Sequence, residues 1–376
     1  MPTDYLPLAG IRCVEFCWVW AGPMLGQHLA DLGAEVVKVE WYKRYDLYRT
    51  RGVEHLAGKM RESDRRESSY PFQCLNRNKL GFAADLKTDL GLDLVKDLIR
   101  ESDILIENFS VGTLDKLGLD SNTLRDLNEL LVVVSLSATG RGSRVENLRS
   151  YGLMLSALGG FESEVEDENG DFLGSPTFVM SDPNAALFGV FAALAGVLHS
   201  RDSGSGSVYE CSQVEAVVSL MDAPVAPRTE QYITEGIFRT ASGDFCAISL
   251  PSNTHTKLGD PKSASDWIAN QSTDVVISTI NGLGGIATQV RNLSETEFAE
   301  EFAGSEVRQA VDHPITGPTK LVATPWTING KRSTVRKPSP MIGADNDYVM
   351  HDILGYSSEK IADIHSSGVV DEAKQN

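Results

Sequence analysis

In the stretch FVMSDPNAALFGVFAALAG, Phe178 to Gly196, one side chain ionises: Asp182, set directly before a proline and a long apolar run. Asp followed by Pro is a helix-start signal. A carboxylate accepts hydrogen bonds from free first-turn amides, and Pro183 suits the first helical position without losing a needed donor. The same geometry favours the ionised carboxylate, since a helix N-terminus is electropositive and rich in free N–H groups. A carboxylate kept anionic beside oriented amides can attack an activated carbonyl, and the amides can stabilise the oxyanion that results. On local sequence, cap and nucleophile both stand as readings of Asp182.

The commoner catalytic signatures are missing. After the first apolar strand stands AGPMLG in place of GxGxxG, with only Gly22 and Gly26 and a proline between them. Glu40 ends the second strand, where an acid would suit a ribose, but the phosphate turn that should precede it is absent. No GxxxxGK[ST], GxSxG or HExxH occurs, and the seven histidines are dispersed, so neither NAD, a metal nor a histidine triad is expected. His28 reads as a surface or packing residue of the first helix.

At 376 residues the chain exceeds the usual size of one hydrophobic core, and 41% apolar residues suffice for two domains. A formal charge of −18 argues against a nucleic-acid or anionic-membrane partner; an anionic ligand would need a local cluster of cations. MPTDYLPLAG lacks the profile of a secretory signal, and the apolar run Ala185 to Leu198 is short for a bilayer, so a soluble cytoplasmic protein is expected. Five scattered cysteines with no CxxC pair read as reduced and structural.

The elements that must position Asp182 are legible from periodicity. IRCVEFC reads as a strand, AGP as a turn, MLGQHLADLG as a helix and AEVVKVE as a second strand, which makes a βαβ unit. From Trp41 to Glu67 runs a long basic segment, a solvated loop on composition, with the wall of an anion site as the alternative. The pattern resumes with KLGFAADL, TDLGLDLVKDLIRES, DILIENF, VGTLDKLGLDSNTLRDLN and LLVVVSLSA, strands alternating with helices. This is an α/β chain whose large domain is Rossmann-like, with a mostly parallel sheet covered on both faces.

Beyond it, ESEVEDENGD reads as an acidic loop or hairpin tip, and SVYECS and QVEAVVSLMDA as a strand and a helix. Prolines in APVAPR mark a boundary. After it, GIFRTASGDFCAISL resembles a hairpin turning at SGD, and DWIANQSTDVVISTINGLGG a helix and a glycine turn. DNDYVMHDILG and SSEKIADIHSSG read as two short C-terminal helices, Ser357 capping the second. The expected division is a large domain over 1–222, a smaller α+β domain over 229–318 and a return segment over 319–376 that packs on the first.

Several segments together resemble the class III coenzyme A transferases, the CaiB/BaiF family of formyl-CoA transferase and carnitine CoA-transferase, with α-methylacyl-CoA racemases as a related branch. They are LAGIRCVEFCWVWAGPMLGQHLADLGAEVVKVE, LNRNKLGFAADLKTDLG, SDILIENFSVGTLDKLGLD, SYGLMLSALGGF, SDPNAALFGVFAALAGVL and SGSGSVYECSQVEAVVSL, with a return at KPSPMIGADNDYVMHDILGYSSEKIADIHSSGVV. The resemblance implies that Asp182 is the nucleophile and that coenzyme A is bound as the acyl-CoA substrate. It further implies a CoA site of Trp18, Val19, Trp20 and Ala21 after the first strand, with Asn76, Lys79, Asn108, Phe109, Lys116, Leu117 and Arg149. Tyr151 matches a tyrosine near the nucleophile. A carboxylic acid is the implied second substrate, and an interlocked homodimer the implied assembly.

The chain also departs from the family. Trp20 and Trp41 stand where some transferases carry glutamine and arginine, which alters the acyl pocket or the adenine contact. The glycine-rich loop of formyl-CoA transferase has no counterpart between Ile237 and Lys262, and the small domain is short, so formyl or oxalate specificity is not implied. In the racemase branch a histidine stands at the position of Tyr151; a phenol is a poor base near neutrality, which ranks racemase second. A CoA-binding protein without turnover is the third reading.

Overall fold

The computed structural model describes residues 6–165, 172–174, 179–221, 234–250, 258, 261–292 and 306–372. The chain divides into two units, Met1–Met221 with Glu306–Asn376, and Asp222–Ser305.

In the first unit six strands form one sheet: β1 (Arg12–Phe16), β2 (Glu35–Glu40), β3 (Leu80–Ala83), β4 (Ile104–Glu107), β5 (Val132–Ser137) and β6 (Ser207–Ser212). Their order is β3-β2-β1-β4-β5-β6 and every pair is parallel. Between them and after them lie α1 (Ala21–Asp31), α2 (Glu62–Arg66), α3 (Tyr70–Asn76), α4 (Asp89–Arg100), α5 (Thr113–Lys116), α6 (Ser121–Leu127), α7 (Gly152–Leu158), α8 (Ser181–Ser203) and α9 (Gln213–Val218). The strands read as unbroken apolar runs because each face of the sheet is covered. Val14, Phe16, Val37, Leu105 and Val133 point into one core with Leu94 and Leu98 of α4. Cys13, Val36, Ile104, Ile106, Val132 and Val134 point into the other, with Leu25 and Leu29 of α1 and Ala186 and Ala193 of α8.

Two boundaries differ from the sequence expectation. AGP, expected to be a turn, is the first turn of α1, where Pro23 has no helical hydrogen bond to lose. Asp182, expected as the N-cap of its helix, is the second residue of α8; Met180 occupies the cap position and no side chain caps there. Along α8 the small residues Ala185, Ala186, Gly189, Ala193 and Gly196 face inward and let the helix approach α1 and β5; a Cβ on Gly189 would strike Leu25. Leu187, Phe188, Phe191 and Leu198 are left exposed on its other side. Gly204, in the left-handed region at φ 70°, ends it. By length and composition α8 could also cross a membrane, but its inward face belongs to the core of this unit.

The C-terminal part of the first unit, from Glu306, opens with an antiparallel hairpin, β10 (Arg308–His313) and β11 (Gly317–Val322), that periodicity did not reveal. It is fixed to the large unit by Asn78, whose Oδ1 accepts from the Arg336 and Lys337 amides at 2.7 and 3.0 Å. Ser357 caps the last helix, Ser358–Ser367, as the sequence indicated.

The second unit holds a three-stranded antiparallel sheet, β7 (Thr234–Arg239), β8 (Phe245–Leu250) and β9 (Ile286–Gln289), with α10 (Pro261–Ala269) and α11 (Thr273–Gly282). The hairpin turns at SGD, and the stretch read as one helix is two, broken at Asn270–Ser272. Cys246, Ile248, Leu250, Ile268, Val276 and Ile280 form its core. The NG of the acidic loop, the proline boundary Ala223–Arg228, and residues 251–257 and 259–260 of the stretch in which a glycine-rich loop was sought lie outside the described residues.

Candidate active site

In an open parallel sheet, ligands bind beyond the carboxyl ends of the strands, where the strand order reverses direction. Here that point lies between β1 and β4, and the two loops that leave it carry Trp18–Ala21 and Asn108–Phe109. Asn108 clamps the first loop to the second: its Oδ1 accepts from the Trp18 amide at 2.9 Å and its Nδ2 donates to the Trp18 carbonyl at 2.8 Å. Gly22 has no Cβ because one there would collide with Cys17 and Asn108. The Trp18 ring meets Phe109 edge to face at 5.5 Å, and the Arg44 guanidinium lies 5.7 Å from the Trp18 centroid. Part of the basic segment after β2 therefore lines this edge.

Val19 has φ +73°, rare for a β-branched residue and costing on the order of 1–3 kcal/mol. Its amide donates to Asp46 Oδ1 at 2.8 Å, a hydrogen bond to a buried charge worth on the order of 1.5–3 kcal/mol, enough to offset that strain. Asp46 is in turn held by Lys38, whose Nζ lies 3.2 Å from Oδ2 and also donates to the Cys17 carbonyl at 2.6 Å. Burial pulls the Lys38 pKa down, but Glu15, Asp46 and Glu40 together hold it above its ordinary value, so it remains a cation.

The loop ends at Ala21, the first residue of α1, and its amide is near enough to the Asp182 carboxylate to favour the charged form. Asp182, half-buried, thus sits at the N-termini of two helices, its own and α1. The Ser181 hydroxyl lies 3.2 Å from Asp182 Oδ2 and 2.9 Å from the Gly152 carbonyl. A Cβ on Gly152 would overlap Asp182 Oδ2 and crowd Val179 and Ser181, so the start of α7 shapes the space round the carboxylate. Burial raises the Asp182 pKa above its ordinary value, and the Ser181 hydroxyl and Ala21 amide act against that. Tyr48 is buried nearby; burial raises its phenol, Arg51 opposes that, and the charge of Asp182 adds to the rise.

The residues singled out from the sequence separate into three groups. Trp18, Val19, Trp20, Ala21, Asn108 and Phe109 form the strand-end loops, and Ala21 joins them to Asp182. Lys116, Leu117, Arg149 and Tyr151 follow β4 and β5: Lys116, Arg149 and Tyr151 are exposed, Leu117 packs on the core, and Tyr151 directly precedes Gly152. Asn76 and Lys79 are internal. Lys79 Nζ is enclosed by Glu15 Oε2 at 2.8 Å, the Pro23 carbonyl at 2.9 Å and Asn76 Oδ1 at 2.9 Å. With both side chains buried, they brace the start of α1 from beneath.

Gly152, Ser181, Tyr48 and the Glu15–Lys38–Asp46 group were missed from sequence. The last had a signal: RCVEF and EVVKVE each place a charge inside an otherwise apolar strand, and the sheet register sets Glu15 beside Lys38. Buried charges in facing strands must pair. The other three depend on contacts between segments distant in sequence and had none.

Residues 8–258 match the family model described as CoA-transferase family III. The chain is similar to a succinate–glutarate CoA-transferase of Agrobacterium fabrum, 32% identical over 236 residues, which are 63% of this chain and 57% of that protein. It is also similar to the succinyl-CoA:glutarate CoA-transferase of Homo sapiens, 22% identical over 405 aligned positions covering 97% and 90% of the two chains. The crystal structure of a CaiB/BaiF family protein from Brucella suis has the same fold, with TM-score 0.79 at 20% identity over 93% of this chain and 100% of that one. With this sheet order and a match over most of its length, the chain belongs to CoA-transferase family III and is an enzyme of the class III CoA-transferase type.

Proposed function

We propose that this enzyme moves CoA from an acyl-CoA thioester to a carboxylic acid, with Asp182 as nucleophile. The observation that carries this reading is the half-buried Asp182 carboxylate, facing the Ala21 amide at the strand-end loop where a parallel sheet receives its ligand. An Asp182 oxygen attacks the thioester carbonyl; the C–O bond forms, the C–S bond breaks and the thiolate leaves with the electron pair. The thiolate then attacks the aspartyl carbonyl of the mixed anhydride, forms a C–S bond and expels the first carboxylate. The Ala21 amide stabilises the oxyanion that develops on the aspartyl oxygen it already faces. An acceptor carboxylate attacks the aspartyl thioester, and the released thiolate attacks the acceptor's acyl carbon, which restores Asp182. Each bond broken is replaced by one of similar energy, so no ATP is consumed.

Trp18 to Ala21, Asn108, Phe109, Lys116, Leu117 and Arg149 are assigned to CoA, with Arg44 beside Trp18 as a further cation. Asn76 and Lys79 serve this site through Glu15 and the start of α1. Tyr151 is assigned to the acyl side, beside Gly152. The exposed apolar face of α8 and α7, with Phe191 72%, Leu198 70% and Met154 58% exposed, is assigned to a second copy of the chain, as family resemblance implies. The test is exchange of isotope-labelled carboxylate into acyl-CoA. Asp182→Asn should abolish exchange while CoA still binds; exchange near the wild-type rate would refute the assignment.

A further inference from the structure

The strand-end loop is held peptide by peptide. Lys38 Nζ binds the Cys17 carbonyl, Asn108 binds both polar groups of Trp18, Asp46 binds the Val19 amide, and the Met24 amide donates to the Trp20 carbonyl at 2.8 Å. The next group along the chain is the Ala21 amide, which faces Asp182. Within this series Val19 has a left-handed backbone that its branched side chain disfavours, so an external group must hold it. Asp46 is that group. It is fully buried, its Oδ1 accepts from both Val19 and Tyr48, and its Oδ2 is paired with Lys38, itself fixed by Glu15.

We propose that Asp46 is a positioning residue for CoA transfer: by holding Val19 in the left-handed conformation it aims the Ala21 amide at the Asp182 carboxylate. Lys38 completes the device by fixing the orientation of Asp46. This rests on Asp182 being the nucleophile. Asp46 need not touch either substrate; the loop it holds is also assigned to CoA, so its loss lowers kcat far more than it raises KM for acyl-CoA.

A double-mutant cycle between Asp46 and Val19 tests it, read in kcat, in KM for acyl-CoA and in thermal midpoint. Asp46→Ala should lower kcat about a hundredfold, the size expected of an ångström-scale misplacement, with a much smaller rise in KM. In a chain that also carries Val19→Gly the same substitution should cost much less, because glycine adopts φ near +73° unaided. A scaffold that merely unfolds would not recover kcat when a second destabilising residue is added. Should Asp46→Ala fail to fold, Asp46→Asn keeps the shape but has one oxygen to share between Val19 and Lys38, and should show the same coupled loss in smaller measure. Wild-type kcat in Asp46→Asn or Asp46→Ala, or a loss that Val19→Gly leaves unchanged, would overturn the proposal. Asp182→Ala run alongside separates the two readings. If it retains exchange, the nucleophile assignment fails; if it is inactive while the Asp46 variants run at full rate, only the positioning role fails.

Discussion

At Asp182 burial and hydrogen bonding act in opposite directions on one carboxyl group. Burial is the larger influence and moves the pKa above the usual aspartate value, while Ser181 and Ala21 favour the anion. The chemistry needs the anion, so the rate should rise with pH as the proton leaves. Because the raised pKa shifts that rise upward, the acid limb of kcat/KM should lie above the ordinary aspartate value of about 4. A pH profile of exchange at limiting acyl-CoA checks this; a limb at or below that value would mean that the hydrogen bonds outweigh burial. Sequence singles out Asp182 as the one ionisable group of its stretch, and its role as nucleophile is what the family resemblance implies. Its exact helical position was not, because Asp-Pro predicts a cap, whereas tertiary contacts with Gly152 and α1 extend α8 by a turn's beginning to Ser181.

At the scale of elements, the site is where the starts of α1, α7 and α8 converge, and glycines allow the convergence. Gly152 illustrates the point: the start of α7 approaches Asp182 so closely that even one methyl group cannot be placed between them. Gly152→Ala should therefore lower kcat about a hundredfold through displacement of the carboxylate, while the thermal midpoint falls little, since the Asp182 side chain is only half-buried and can shift. Steady-state kinetics beside a melting curve checks it; unchanged kcat would show that α7 shifts without consequence for Asp182. The strands were legible as unbroken apolar runs, and α4 by the periodic face it buries with Leu94, Val95, Leu98 and Ile99. The β10–β11 hairpin was not, because only part of each strand is buried and its apolar positions are sparse. The basic segment after β2 read as a loop on composition; its role emerges from Arg44 over Trp18 and from Asp46 beneath Val19.

For the whole molecule, the net charge of −18 makes an anionic substrate depend on local cations, and at the strand-end edge Arg44 stands beside Trp18. The exposed side of α8 is the face proposed for a second copy of the chain. Covering Phe191 and Leu198 is worth about 1.5–3 kcal/mol each, enough that one charge in their midst should prevent association through this face. Phe191→Glu should convert a dimer into monomers in sedimentation or light scattering; a wild-type monomer, or a variant that stays dimeric, would contradict the assigned interface. The account as a whole stands on covalent chemistry at one side chain. The most direct measurement is peptide mass spectrometry of the full chain after incubation with acyl-CoA and hydroxylamine. The expected result is a hydroxamate on Asp182 that requires acyl-CoA and is absent from Asp182→Asn; acyl exchange that proceeds with Asp182 unmodified, or a hydroxamate on another residue, would contradict it.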